Sequence, residues 1–249
     1  MDNQQSFVSE LEKELRPLFL KMYSEIKNVD DYWLFCATWG KYFPSVAKQG
    51  ILFYGRATNG WKDYCCCANA DDIFSFLFNR ADQVEWMSYN TSRPFVNLIK
   101  HVAERYYPKQ WNEHIAWSNV CKVAPNTTLG TPSLELWDEQ YWHMVSMMEV
   151  ELRILSPKVV IFITGTTAGE HWDSPLFEID KYKNLGSMLT EQIVWGIASN
   201  GFPLTTKGGV VDDTIFIFTD RPEMRPIEPH ANAIIELIEK LSGGNFVRK

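Results

Sequence analysis

The sequence lacks the short motifs that mark the commonest nucleotide-binding and hydrolytic sites. No GxGxxG follows an apolar run, no Walker A lysine is present, and no serine lies in a GxSxG motif. The segment GTTAGE at 165–170 is rich in small residues but has no lysine that would reach a phosphate. These absences count against a dinucleotide-dependent enzyme, an NTPase and a serine hydrolase.

Metal-binding and disulfide patterns are also missing. The five histidines form no i, i+4 pair and no HExxH box, and three of the five cysteines are contiguous at 65–67. An odd number of cysteines in this arrangement gives neither a disulfide framework nor CxxC zinc spacing. We therefore expect no metal, no cofactor and a reducing compartment.

Long apolar runs and an excess of basic residues are absent as well. No run reaches the length of a membrane span, and the first residues, MDNQQSFVSELEK, do not resemble a signal peptide. We expect a soluble, cytoplasmic protein with no membrane partner. The net charge of -7 counts against nonspecific coating of nucleic acid, although it leaves room for a local basic cleft.

Four apolar runs separated by helical patterns indicate the fold class. They lie at about 51–55, 115–123, 158–164 and 213–219. Strands that alternate with helices are typical of a parallel sheet covered on both faces, so we predict a three-layer α/β/α fold with a four-stranded parallel sheet. No linker-like stretch divides the chain. We expect residues 1–249 to form one domain, on which an N-terminal helical segment, residues 1–50, packs.

Helical periodicity and capping signals lie before and between these runs. A first helix, kinked or split at Pro17, is predicted by apolar residues three or four positions apart: Phe7, Leu11, Leu15, Leu18, Met22 and Ile26. Further helices are predicted at 71–78 with Asp71 and Asp72 as caps, after Ser92 and Pro94, from Thr131 through 155, between 184 and 199, and from near Pro229.

The stretch ILFYGRATNGW, Ile51 to Trp61, organises the rest of the prediction. An uninterrupted apolar run that ends in glycine is typical of a buried parallel strand leaving the sheet. Ligands bind at the carboxyl ends of such strands, which is where Arg56, Thr58 and Asn59 would lie. A surface turn without function is the alternative, because Asn-Gly is a common turn sequence.

Two further segments would meet this loop at the same edge of the sheet. Asn119 interrupts the second apolar run, and a buried amide must either be satisfied locally or point at a ligand. The fourth run is followed by DRPEMRP, at 220–226, which carries Arg221 and Arg225. We expect the loop at 55–61, Asn119 and residues 220–225 to line one cleft.

The order of these motifs resembles that of the uracil-DNA glycosylase superfamily. GRATNGW follows the first run, NVCKVAP the second, LSPKVVIFITG contains the third, and DRPEMRP follows the fourth, so the resemblance covers about four fifths of the chain. In that family the first loop positions the hydrolytic water, an asparagine reads the uracil edge, and a histidine after the fourth strand stabilises the leaving anion. The resemblance implies a DNA-binding DNA repair enzyme that hydrolyses the N-glycosidic bond of a deaminated or damaged base.

The resemblance and the needs of that chemistry suggest a role for several residues. A base is stacked, read and released as an anion, and the gap in the duplex is filled by an apolar side chain. The candidates are Asn59 and Arg221 for catalysis, Arg56, Trp61, Tyr64 and Asn119 for base binding, and Met224 and Arg225 for nucleic-acid binding. For Met224, packing on the last helix is an equal alternative.

The sequence also departs from the family pattern. Arg56, Ala57 and Thr58 stand where the family has Asp, Asn or Glu, and Arg221 stands where it has the histidine. An arginine stabilises an anion but donates no proton at neutral pH. These departures and the acidic net charge favour a second hypothesis, a catalytically silent protein that binds a nucleobase, nucleotide or nucleic acid, whereas the loop placement and Asn119 favour the glycosylase. An unrelated small-molecule enzyme and, for Arg221, an exposed ion pair with a neighbouring carboxylate remain further alternatives.

Overall fold

The structure is a computed structural model that describes residues 3–43, 49–57, 67, 69–79, 82–125, 131–165, 172–244 and 246. The described strands are β1 (Tyr32–Leu34), β2 (Thr38–Trp39), β3 (Ile51–Gly55), β4 (Ile115–Asn119), β5 (Val123–Pro125), β6 (Val159–Ile163), β7 (Glu191–Ile197), β8 (Pro203–Val211) and β9 (Thr214–Thr219). The described helices are α1 (Asn3–Glu25), α2 (Ala70–Phe78), α3 (Asp82–Tyr89), α4 (Pro94–Tyr106), α5 (Leu134–Leu155), α6 (Ser174–Glu178), α7 (Leu185–Met188) and α8 (Ile227–Leu241).

Seven strands form one mixed sheet, in the order β2-β4-β3-β6-β9-β8-β7. The middle four strands, β4, β3, β6 and β9, run parallel to one another, which confirms the predicted parallel strands. β2 joins one edge antiparallel to β4, and β8 and β7 extend the other edge antiparallel. The sheet is therefore wider than predicted by three antiparallel strands.

The parallel strands are covered on both faces. Every residue of β3, β4 and β6 is buried. Along β3, Leu52 and Tyr54 pack in a cluster with α1 and α5, whereas Ile51 and Phe53 pack in a second cluster with α4 and α8. This alternation explains why the run carries no polar residue, since both faces of the strand lie against helices.

The second predicted strand is split in two. β4 stops at Asn119, and β5 leaves the large sheet to pair antiparallel with β1, with Trp33 opposite Ala124. The predicted run of 115–123 was therefore too long. Because of the split, Asn119 is the last residue of β4 and lies at the carboxyl edge of the sheet.

The helix predicted between 184 and 199 is wrong. Only the short α7 forms there, and the segment continues as β7, which pairs with β8. In β7, Ile193 is partly buried on the α8 side, while Val194 is 58% exposed. Such alternation has the two-residue period of a strand with one solvent face, and the β-branched residues favour it.

Most other predicted helices form, with shifted ends. α1 continues through Pro17 as one helix and is not split there. The N-terminal cap of α2 is Asn69, whose side-chain oxygen accepts the N–H groups of Asp71 and Asp72 at 3.0 Å each, so the predicted aspartate caps are wrong. α8 starts at Ile227, two residues early, and α3 had no predicted counterpart.

Candidate functional site

A pocket of about 350 Å³ opens at the carboxyl ends of β3, β4 and β6. Its aromatic lining residues are Trp86, Phe95, Trp117 and Trp172. Among the described residues, its charged lining consists of Arg56, Arg93, Arg221 and Glu223. The pocket lies at the edge of the sheet where α/β proteins bind ligands, and its volume is within the range of small-molecule sites.

Asn119 is the buried polar group of this pocket. Its side chain is 1% exposed, and its Nδ2 has no hydrogen-bond partner in the described part of the chain. Gly55 lies opposite Asn119 in the β3–β4 register. A Cβ at Gly55 would lie 2.5 Å from Asn119 Oδ1 and 3.2 Å from the Phe95 ring. Glycine is therefore needed at the end of β3 for the amide to keep its position.

Backbone hydrogen bonds fix the exit of β4 against that of β3. The N–H of Val120 donates to the carbonyl of Gly55 at 2.9 Å, and the N–H of Cys121 donates to the carbonyl of Arg56 at 2.8 Å. The two loops consequently leave the sheet side by side.

A fully buried ion pair lies behind this exit. The ammonium of Lys122 donates to Glu151 at 2.7 and 2.9 Å and to Ser118 Oγ at 2.7 Å, with both ionic side chains 0% exposed. The hydroxyls of Tyr54 and Ser118 also donate to Glu151, at 2.8 and 3.0 Å. Each charge thus has several hydrogen bonds, as buried ions require. This pair was not predicted from the sequence, although a lysine within NVCKVAP was a signal for it.

Arg56 is a half-buried cation on the pocket wall. Its Nε donates to the carbonyl of Thr164, and its guanidinium lies 4.7 Å from the centre of the Trp172 ring. Burial lowers the pKa of Arg56 to about 10, and the positive charge of Arg221 contributes in the same direction. The group remains protonated at neutral pH, because even the lowered pKa is well above 7.

Arg221 lines the pocket but has a partner. Its Nε and one terminal nitrogen donate to the two carboxylate oxygens of Glu223 at 3.1 and 3.0 Å. Both side chains are more than 40% exposed, at 42% and 44%. The alternative of an exposed ion pair for Arg221 is therefore observed. Because both side chains are exposed, solvent strongly weakens the electrostatic attraction between them.

The other two residues predicted in this loop do not line the pocket. Arg225 lies 3.2 Å from the buried carboxylate of Asp220, whose other oxygen accepts the N–H of Thr205 at 2.9 Å. This arrangement anchors the loop to β8. Met224 has a φ of 58°, in the left-handed region, and its side chain is fully exposed instead of packing on α8.

The structure brings together three of the predicted site residues, Arg56, Asn119 and Arg221. Asn59, Trp61 and Tyr64 lie outside the described residues. Three further lining residues, which come from α3 and the start of α4, were not predicted: Trp86, Arg93 and Phe95. An arginine directly before Pro94, where a helix was predicted to start, is the sequence signal that points to this side of the pocket.

Comparisons with known proteins leave the family open. No protein-family model matches the sequence, and no curated protein matches it significantly. Within the described ranges, no helix has the length and apolar character of a membrane span, and no group of three His, Cys, Asp or Glu side chains is arranged to hold a metal ion. The geometry of the pocket is consequently the main guide to function.

Proposed function

We propose that the pocket binds a planar, carbonyl-bearing nucleobase, and that the protein is a uracil-DNA glycosylase-like hydrolase acting on a deaminated or damaged base in DNA. The observation that carries the proposal is the buried Nδ2 of Asn119, which lacks a hydrogen-bond acceptor among the described residues. Such a group costs on the order of 1 to 3 kcal/mol, and a carbonyl oxygen of a bound base would remove that cost.

The aromatic lining supports a flat ligand. Trp86, Phe95, Trp117 and Trp172 line the pocket together with the asparagine. Stacking on such rings contributes about 1 to 3 kcal/mol per base, and an amide adds selectivity because it donates and accepts on one edge. A pyrimidine fits both requirements.

The arginines support charge separation in the reaction. Hydrolysis breaks the bond between the sugar C1′ and the base nitrogen, a water oxygen bonds to C1′, and the bonding electron pair leaves with the base. Arg56 and Arg221 line the same pocket and would stabilise the departing anion through fixed positive charge. The proton released by the water goes to solvent or to the base, since neither arginine exchanges protons at neutral pH.

A second candidate is a protein that binds the base without cleaving the bond. The ion pair of Arg221 with Glu223 favours this candidate. Glu223 accepts the hydrogen bonds that Arg221 would otherwise donate to the departing anion. Among the described lining residues Glu223 is also the only carboxylate, and Arg221 holds both of its oxygens. Asn59, the residue predicted to position water, lies outside the described residues.

One experiment tests both candidates. The protein is incubated with single- and double-stranded uracil-containing oligonucleotides, binding is measured, and abasic sites are detected by alkaline cleavage. We expect abasic sites from wild-type protein and none from Asn119→Ala, while the exposed control Asn184→Ala retains activity. Binding without abasic sites would support the second candidate. If the protein neither binds nor cleaves these oligonucleotides, the proposal of base recognition is overturned.

A further inference from the structure

Arg93 differs from Arg221 in its electrostatic surroundings, although both line the pocket. Arg221 is paired with Glu223, whereas Arg93 makes no ion pair with any residue that the structure describes. Its guanidinium lies 5.0 Å from the centre of the Trp86 ring, and its side chain is exposed. Stacking on an indole holds the cation in place without neutralising it, because the ring carries no net charge.

The start of α4 adds positive potential beside Arg93. The helix begins at Pro94, and Arg93 occupies the capping position without a side-chain hydrogen bond to the first turn. The 13-residue helix therefore has its positive end at the pocket, and the side chain of Arg93 does not cap its first turn. Such an end favours an anion, but by itself it does not define a site.

Two independent features of the same pocket point to a ligand there. The buried amide nitrogen of Asn119 lacks an acceptor in the described chain. In addition, three arginines and one glutamate give the described lining a formal charge of +2, in a protein whose net charge is -7. A ligand that satisfies both features has a hydrogen-bond acceptor on a flat ring and a negative group beyond it.

We infer that Arg93, stacked on Trp86 at the start of α4, forms a phosphate-binding subsite of this pocket, so that the ligand is a base that carries a phosphate. The inference rests on the proposed binding of the base at Asn119. The guanidinium fork suits phosphate oxygens, and the cavity of about 350 Å³ is within the range of small-ligand sites. The phosphate belongs either to a free nucleotide or to a strand of nucleic acid.

The subsite is tested by titration calorimetry with four probes: uridine, uridine 5′-monophosphate, inorganic pyrophosphate and a short uracil-containing single strand. The proteins are the wild type, Arg93→Gln and the control Arg153→Gln, which removes the same charge from an exposed position on α5 outside the pocket lining. We expect the wild type to bind the monophosphate about tenfold more tightly than uridine. Arg93→Gln should abolish that difference, while Arg153→Gln keeps it.

The probes separate the two sources of phosphate and the two proposals. A larger Arg93-dependent loss for the single strand than for the monophosphate assigns the phosphate to nucleic acid, and the reverse assigns it to a free nucleotide. Equal wild-type affinities for uridine and its monophosphate, with pyrophosphate binding insensitive to Arg93→Gln, would overturn the subsite but not base recognition. Arg93-dependent pyrophosphate binding without uridine binding would support the subsite and overturn base recognition. Binding of no probe would overturn both.

Discussion

The pocket has two walls that are stabilised in opposite ways. The β4 wall is formed by the end of β4 at Asn119, and the Lys122–Glu151 pair that supports it from outside the pocket lining is buried, with several hydrogen bonds to each charge. The β9 loop, residues 220–226, presents Arg221 and Glu223 as an exposed pair. Exposed pairs contribute little to stability, whereas breaking a buried pair is costly. Under the proposed function, the buried β4 side would read the ligand and the exposed pair of the β9 loop would supply charge.

The two walls also differ in what lies beneath them. At the end of β9, Thr219 Oγ1 lies 2.6 Å from His230 Nε2 and 2.7 Å from Thr206 Oγ1, and the histidine ring stacks on Trp195 with 4.1 Å between centroids. His230 is fully buried, and burial lowers its pKa to about 3. A neutral buried histidine therefore lies beneath the β9 end, in addition to the Asp220–Arg225 pair, whereas a buried charged pair lies next to the β4 end.

The largest expected effect comes from breaking the buried pair. Glu151→Gln leaves Lys122 as an uncompensated buried cation, so the free energy of unfolding should fall by about 3 to 5 kcal/mol. Urea denaturation measures this change. The matched control is Glu149→Gln on the exposed side of the same helix, which should lie within about 0.5 kcal/mol of wild type. Similar stabilities for the two variants would show that the β4 wall does not depend on the pair.

The next effect is a pH dependence of stability from His230. Its pKa is about 3 in the folded protein and near 6.5 when unfolded, so the unfolded chain takes up a proton first as the pH falls. The contribution is fully present above about pH 6.5 and is lost toward pH 3, at up to about 1.4 kcal/mol per pH unit. Urea denaturation at several pH values should show a shallower loss for His230→Phe than for wild type. Replacement of the exposed His101 should leave the slope as it is, and equal slopes for all three proteins would contradict the assignment.

Gly55→Ala tests the close approach of β3 and Asn119. The new Cβ would meet Asn119 Oδ1 at 2.5 Å, so the amide must move. We expect a stability loss of about 1 to 3 kcal/mol, as in other overpacked interiors, together with weaker binding of uracil-containing strands. Gly186→Ala is the control, because nothing lies within 4 Å of a Cβ at that position. Unchanged binding by Gly55→Ala would show that recognition of the strand does not depend on the position of the Asn119 amide.

The smallest effect on stability is expected for Arg221→Ala. Its exposed pair with Glu223 should contribute well under about 1 kcal/mol to folding. Binding or cleavage of a uracil-containing strand should nevertheless weaken by about 1 to 3 kcal/mol, because a charge-assisted contact is removed. Thermal melting and fluorescence anisotropy separate the two quantities. An unaltered affinity would mean that the β9 loop is scaffold only.

The parts of the structure that follow from local pattern were predictable from the sequence. The parallel strands are buried on both faces, so runs such as Ile51–Gly55 are apolar throughout and stand out. Asn119 stands out for the converse reason, as a polar residue in such a run. Glycine or a polar residue after each run then indicated the edge at which the site would lie.

The parts that depend on contacts between distant segments were not predictable. β7 has one solvent face, and its short alternating pattern does not distinguish a strand from a helix. Its pairing with β8, a distant contact, decides for the strand. The Lys122–Glu151 pair joins residues 29 positions apart, and neither residue type reveals its burial in the sequence. Trp86 and Arg93 reach the pocket through the packing of α3 and α4, which no local periodicity specifies.

The most direct test of the account is the affinity of wild-type protein and Asn119→Ala for a single-stranded uracil-containing oligonucleotide, measured by fluorescence anisotropy. The account predicts that Asn119→Ala binds at least about tenfold more weakly than wild type and folds as stably, since the amide nitrogen has no acceptor to lose in the described chain. Asn184→Ala should bind like the wild type. Equal affinities of wild type and Asn119→Ala would contradict the claim that this buried amide reads a base.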